Sequence, residues 1–87
     1  MSREDRVHLS RLRCGHHPAL PSYMNRIGRA PSADCVLCQA EPGTVEHVLL
    51  HCPTLQEARA YHNITSLEHL WTRPTDVMDF LRSTGVL

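Results

Sequence analysis

Three cysteines and a histidine near the middle of the chain restrict the folds open to it. They form the pattern Cys-x2-Cys-x8-His-x4-Cys at Cys35, Cys38, His47 and Cys52. Thiolates and a neutral imidazole at such spacings are typical of tetrahedral zinc. Four protein ligands leave no position for water or substrate, so the metal would support folding and not chemistry. The pattern predicts a structural zinc site in a binding module that is not an enzyme by itself.

The choice of ligands has alternatives that the sequence leaves open. His51 lies four residues after His47 and could replace Cys52, although a third thiolate binds zinc strongly and favours Cys52. A redox Cys-x-x-Cys motif requires a strand before it and a helix at its first cysteine, whereas residues 31–34 favour a turn. The four cysteines could instead form two disulfides, but His47 would then have no role in the pattern. At the same ligands, iron or cobalt could take the place of zinc.

Size and composition predict a small helical domain. The chain has 87 residues with one Trp, one Phe and two Tyr, so aliphatic side chains must form most of the core. A core of this size usually needs an additional stabilising element such as a bound metal. The chain has no long apolar run and begins with polar and charged residues, which predicts an intracellular protein of the nucleus or cytoplasm. We expect a single small all-α, zinc-stabilised domain over residues 1–87, made of an Arg-rich helical part (1–30), the zinc site (31–53) and C-terminal helices (54–87).

Proline, glycine and threonine mark the ends of the expected helices. Gly15 is suited to end the first helix and Pro21 to begin the second. Thr44 is placed to cap a helix that carries His47, and Thr54 and Thr75 are expected to cap two later helices. The predicted helices cover residues 3–13, 22–27, 45–51, 54–61, 66–71 and 76–83.

Charge is unevenly distributed although the net charge is zero. Residues 1–30 carry six arginines against two acids, and residues 31–87 carry three arginines against seven acids. All nine cations are arginine, whose guanidinium binds phosphate through two parallel hydrogen bonds. The basic first half therefore predicts contact with a nucleic-acid backbone, while a solvated helix face or pairing with the acidic half would explain the same charges. The expected phosphate contacts are Arg6, Arg11, Arg13, Arg26 and Arg29, with Tyr23 or His17 as base-stacking groups.

Cys14 stands outside the zinc pattern, beside His16 and His17. These three residues lack a fourth ligand, so we expect a buried thiol at a helix end and no second metal site. Tyr23 also has a simpler interpretation, as a side chain that packs between helices.

Several segments together resemble the C-terminal zinc-binding tail of non-LTR (LINE-type) retrotransposon polyproteins. They are Leu12-Arg13-Cys14-Gly15-His16-His17, Tyr23 to Arg29, Cys35-x2-Cys38 and Thr44 to Pro53, within about residues 9–59. In that family the segment follows a reverse transcriptase, and often a ribonuclease H domain. The resemblance implies a CCHC zinc finger on the four ligands named above, which helps to hold element RNA or target DNA during target-primed reverse transcription. Cys14 stands where a small hydroxyl residue is usual, and no segment of the chain resembles the polymerase or the endonuclease.

A structural or protein-interaction module is the alternative function. In that case the same zinc holds the helices together without direct contact with nucleic acid. The apolar residues Val77, Phe80 and Leu81 recur at helical spacing in the last predicted helix. They would form a face that docks on another domain of the same polyprotein, such as the reverse transcriptase or ribonuclease H, or on another copy.

Overall fold

The computed structural model describes residues 2–87 and is mostly helical. Its five α-helices are α1 (Arg3–Cys14), α2 (Pro21–Arg26), α3 (Gln56–His62), α4 (His69–Thr72) and α5 (Pro74–Ser83). Between α2 and α3 lie a π-helical turn (His47–His51) and a 3-10 turn (Pro53–Leu55). Within residues 2–87 no β-strand forms, and a single antiparallel bridge joins Asp34 to Pro42. The expectation of a small helical fold is confirmed.

Both ends of α1 follow the local signals of the sequence. The Ser2 hydroxyl accepts a hydrogen bond of 3.1 Å from the Asp5 amide and so caps the first turn. Gly15 adopts a left-handed φ of 72° after the last turn, where a side chain would be strained. Leu9 and Leu12 are buried on the inner side of this helix. The first helix therefore begins and ends close to its predicted limits.

The last helix, α5, lies at the centre of the core. Val77, Met78, Phe80 and Leu81 are buried there, and the helix packs against α1, α3 and α4. Full burial of a side chain of this size contributes roughly 1.5–3 kcal/mol. The chain's own helices cover the face that the alternative function assigned to a partner. The expectation that Val77, Phe80 and Leu81 dock on another domain or copy is therefore wrong.

Two predicted helix caps are also wrong, and a proline explains each. Thr54 lies inside the 3-10 turn that Pro53 begins, and its side chain caps no helix. Pro74 occupies the first position of α5, so Thr75 lies inside that helix. Proline favours the first helical position because it has no amide hydrogen to satisfy and its φ is already helical.

Gly43 holds the metal-site segment against α2. Its amide donates to the Ala33 carbonyl at 2.7 Å, and its carbonyl accepts from the Ser22 amide at 3.3 Å. A Cβ atom at this position would lie 2.5 Å from Cδ of Pro21, closer than real Cβ contacts. The close approach of the loop to α2 therefore requires glycine.

Within the described part of the chain, no helix is long and apolar enough to cross a membrane.

Candidate metal centre

The first two thiols lie on a tight turn at the tip of a short loop. The Cys35 amide donates to the Glu41 carbonyl at 2.8 Å, and the Gln39 amide donates to the Cys35 carbonyl at 2.9 Å. Gln39 itself has a left-handed φ of 56°, which reverses the chain after the second cysteine. A hydrogen bond from the Ala40 backbone lowers the pKa of the Cys38 thiol to about 7. Such amide donors favour the thiolate, which is the form that binds metals.

His47 and Cys52 lie at the two ends of the π-helical turn. Thr44 Oγ1 accepts a 3.1 Å hydrogen bond from the His47 amide, so the predicted cap is present. The Cys52 amide donates to the His47 carbonyl at 2.7 Å, five residues back along the chain. In a regular α-helix, residues five apart lie about 140° apart around the axis. The wider turn brings both side chains to the same side.

The four side chains form a cluster, called here the Cys3His cluster: Cys35, Cys38, His47 and Cys52. Their ligand atoms all lie within 4.8 Å of one another. The Sγ atoms of Cys35 and Cys52 are 3.8 Å apart. Two sulfurs bound to a tetrahedral zinc at about 2.3 Å would be separated by about 3.8 Å. Cys38 Sγ lies 3.3 Å from Nε2 of His47, so the residues expected to be ligands are close enough to hold a metal ion.

Carboxylate partners distinguish the two candidate histidines. His47 is buried, and its Nδ1 lies 3.1 Å from Oε2 of Glu41. A ring that donates from Nδ1 keeps the Nε2 lone pair free for a metal, as in carboxylate–histidine–metal arrangements. His51 is 55 % exposed and lies 3.6 Å from Glu46, outside the Cys3His cluster. The geometry favours His47 over the alternative that uses His51.

Arg59 holds the carboxyl end of the π-helical turn. Its Nε donates to the Leu49 carbonyl at 2.7 Å, and its Nη2 donates to the carbonyls of Cys52 at 3.0 Å and Val48 at 3.3 Å. These carbonyls lie at the end of a helical turn, where the regular pattern of backbone hydrogen bonds stops, although the Cys52 carbonyl also accepts from the Leu55 amide at 3.2 Å. Burial lowers the pKa of Arg59, and the charge of Cys52 opposes that effect. Burial also raises the pKa of the Cys52 thiol, so a nearby cation helps to retain a thiolate there.

Four of the arginines expected to contact phosphate are exposed. They have no side-chain hydrogen bond or ion pair with any residue in 2–87. These residues are Arg6, Arg11, Arg26 and Arg29.

Arg13, the fifth expected phosphate contact, is exposed, but its guanidinium already binds other residues of the protein. Its Nε and Nη2 donate to the Leu70 carbonyl at 2.9 and 2.6 Å, and its Cζ lies 5.6 Å from the ring centroid of Trp71. These contacts join α1 to α4. Arg13 therefore has a structural role that the sequence did not indicate, because its partners lie 57 residues away in the chain.

The two expected stacking residues are both packed in the fold. His17 is only 4 % exposed, its Nδ1 accepts from the Ala19 amide at 2.9 Å, and its Nε2 lies 2.7 Å from Nδ1 of His8. The ring has no free face for a base, so the prediction that His17 stacks on bases is wrong. Tyr23 is half-buried and stacks on His16 with centroids 5.2 Å apart, in agreement with its simpler interpretation as a packing residue.

Cys14 is exposed, which contradicts the expectation of a buried thiol. No metal-binding group of three or more ligands forms around it. In the described part of the chain, the Cys3His cluster is the single group of that kind.

The protein is thus a small helical domain in which three cysteines and one histidine are placed to hold a metal ion. Two of these ligands come from a tight loop turn and two from a π-helical turn. Comparison of the chain with protein-family models, curated proteins and solved structures found no match.

Proposed function

We propose that the protein is a zinc-stabilised helical module that binds nucleic acid through its basic first thirty residues. Three thiolates and an imidazole suit zinc better than magnesium or calcium. The 3.8 Å separation of the Cys35 and Cys52 sulfurs fits tetrahedral coordination, and the contact between Glu41 and Nδ1 of His47 leaves Nε2 free to bind the metal. All four positions are supplied by the protein, so the metal would hold the loop and the π-helical turn together and would take no part in a reaction.

The distribution of arginine contacts carries the nucleic-acid part of the proposal. Four of the nine arginines bind carbonyls or carboxylates of the fold, and these are Arg13, Arg59, Arg73 and Arg82. The other five lie in the first thirty residues, exposed and without such a partner among residues 2–87: Arg3, Arg6, Arg11, Arg26 and Arg29. Their guanidinium groups are free to bind phosphate from outside.

The acids of the first half do little to offset this charge. Asp5, one of only two acids in residues 1–30, is already paired with Arg82 of α5. That pairing lowers the pKa of Asp5 and leaves Glu4 as the remaining acid on α1. The surface of the first half is therefore more basic than its residue count indicates.

The resemblance to LINE-type retrotransposon tails supports the same proposal. Its implied metal ligands are the residues of the Cys3His cluster. On this reading the module belongs to a polyprotein with a reverse transcriptase and helps to hold element RNA or target DNA during target-primed reverse transcription.

The test is a binding titration with RNA, single-stranded DNA and duplex DNA at several salt concentrations. One variant changes Arg6, Arg11, Arg26 and Arg29 to Ala, and a matched control changes the same four to Lys. Arg13 is left intact because it joins α1 to α4. The parent should lose affinity steeply as salt rises, since each phosphate contact contributes about 0.7–0.9 to the slope of log K against log salt. The Ala variant should bind weakly with a flatter slope, and the Lys variant should keep most of the slope.

Equal binding by the parent and the Ala variant, with both still loaded with metal, would contradict the proposal. So would an affinity that does not change with salt. Either result would favour the alternative, a protein-interaction module. One observation supports that alternative: Val36 and Leu37, at the tip of the Cys-x2-Cys turn, are 73 % and 41 % exposed.

A further inference from the structure

We propose that Trp71 is a base-stacking platform that makes the basic surface selective for single-stranded nucleic acid, an inference that rests on the proposed function. Trp71 is the one tryptophan of the chain, and 57 % of its surface is exposed. Its neighbour Leu70 is 1 % exposed, so α4 is anchored in the core directly beside the ring. Trp71 is thus anchored beside the core while more than half of the residue's surface is accessible to solvent.

The ring of Trp71 lies next to the basic surface of α1. Arg13 binds the Leu70 carbonyl through two nitrogens and places its Cζ 5.6 Å from the ring centroid. Arg6 precedes Arg13 by seven residues, so the two side chains lie within about 20° of each other around the helix axis. Arg6 is exposed and has no partner among residues 2–87. An aromatic surface and a free guanidinium therefore share one side of the molecule.

This combination favours single strands over duplexes. In a duplex each base is covered above and below by its neighbours, whereas an unpaired base can be turned out and stacked on an aromatic ring. Stacking tolerates any base because every base has a π-face, and cations that follow the backbone add the electrostatic part. Phosphates of the strand would contact arginines such as Arg6 while one base covers Trp71. The expected ligand is a single strand of RNA or DNA with little sequence preference.

Tyr61 provides a matched control. It is more exposed than Trp71, at 83 %, but it lies on α3 one turn after Glu57 and packs edge-on against His62. It has no arginine stacked on its ring among the described residues. If exposure of an aromatic ring were sufficient, Tyr61 would contribute as much as Trp71.

The experiment uses the fluorescence of Trp71 itself, because the chain has no other tryptophan. The full chain is titrated at low salt with oligo(U), oligo(dT) and a DNA duplex of the same length. Single strands should quench the emission and the duplex should not. The Trp71 variants have no tryptophan, so the affinities of all variants are measured by the anisotropy of a dye-labelled oligonucleotide. Base–aromatic stacking is worth about 1–3 kcal/mol per base, so Trp71→Ala should weaken single-strand binding roughly 5- to 150-fold. Trp71→Phe should retain most of the affinity, and Tyr61→Ala should bind like the parent.

The outcomes separate this inference from the proposed function. Single-strand binding by the parent without quenching, together with unchanged affinity of Trp71→Ala, would overturn the stacking role and leave the proposed function standing. Equal quenching by the duplex would overturn the strand selectivity. A parent that binds none of the three probes would overturn both. Thermal melts of all variants exclude unfolding as the cause, and Trp71→Leu, which keeps apolar contact but lacks a wide π-face, replaces the Ala variant if that one melts early.

Discussion

Individual side chains around the Cys3His cluster prepare its ligands for a metal. Glu41 fixes the tautomer of His47, and backbone hydrogen bonds from Ala40 and Thr54 reach the thiols of Cys38 and Cys52. Such outer contacts typically change metal affinity by 10- to 100-fold without touching the metal. The affinity of the site should therefore depend on residues that are not ligands.

Glu41→Gln should weaken zinc binding by roughly 10- to 100-fold, because the amide no longer fixes and polarises the His47 ring. The measurement is competition for zinc with a chromophoric chelator. Glu46→Gln is the matched control, since Glu46 contacts the exposed His51 at 3.6 Å and is exposed to a similar degree, 59 % against 61 % for Glu41. Equal zinc affinity of the two variants would show that Glu41 does not orient a ligand.

His17 should make the fold sensitive to mild acid. Burial is the main cause that lowers its pKa from 6.5 to about 4. The unfolded chain therefore binds more protons than the folded chain between those values, and stability falls as pH drops through this window. The Ala19 amide points at Nδ1, so the proton added on charging would meet a donor. We expect the loss to reach roughly 3 kcal/mol by pH 4.

The check is a series of denaturant titrations between pH 7 and 4 on the parent and on His17→Asn, which keeps an acceptor for the Ala19 amide but cannot charge. Loss of metal in acid affects both proteins and cancels in the comparison. Parallel pH profiles for the two proteins would contradict the assignment.

Among the elements, the π-helical turn is the one on which the metal site depends. It brings His47 and Cys52 to one side, and Arg59 satisfies the carbonyls at its end. A π-turn is rare and costs more than a regular helical turn, and such turns occur frequently at functional sites. Its stability should therefore depend on Arg59 and on the metal together.

Arg59→Lys should lower the free energy of unfolding by roughly 2 kcal/mol, because an ammonium cannot reach the three carbonyls that the guanidinium binds and leaves some of them unsatisfied. Chemical denaturation of the metal-loaded protein measures this. Arg29→Lys, an exposed arginine without a partner among residues 2–87, is the control and should change stability by less than about 0.5 kcal/mol. If Arg59→Lys lowers stability no more than Arg29→Lys does, Arg59 does not stabilise the end of the π-helical turn.

The ends of several elements could be predicted because their signals are local. Ser and Thr caps, proline at a first position and glycine at a last one act within a few residues, and Gly15, Pro21 and Thr44 behaved as expected. The π-helical turn could not be predicted in this way, because a segment of only five residues has the same sequence pattern whether it forms an α-helical or a π-helical turn. The burial of His17 and the exposure of Cys14 depend on how α1 packs against distant residues, which no local pattern reports.

In the whole molecule, part of the Cys3His cluster is continuous with the helical core. Cys35 and Cys52 belong to the same set of buried side chains as Phe80 and Leu81 of α5. Structural zinc in small domains contributes about 10–16 kcal/mol of apparent binding energy, while small domains have a total stability of only about 5–15 kcal/mol. A metal in the Cys3His cluster would therefore decide whether the chain folds, and this is why the cysteine spacing predicted so much from so short a sequence.

The most direct measurement combines metal analysis of the purified protein with circular dichroism during chelation. We expect one zinc ion per chain, and its removal should abolish the cooperative melt and most of the helical signal. Cys52→Ser should lose the metal, while Cys14→Ser, which changes the thiol outside the cluster, should keep it. A protein that is free of metal and yet folded, or one whose melting is unchanged by chelation, would contradict this account.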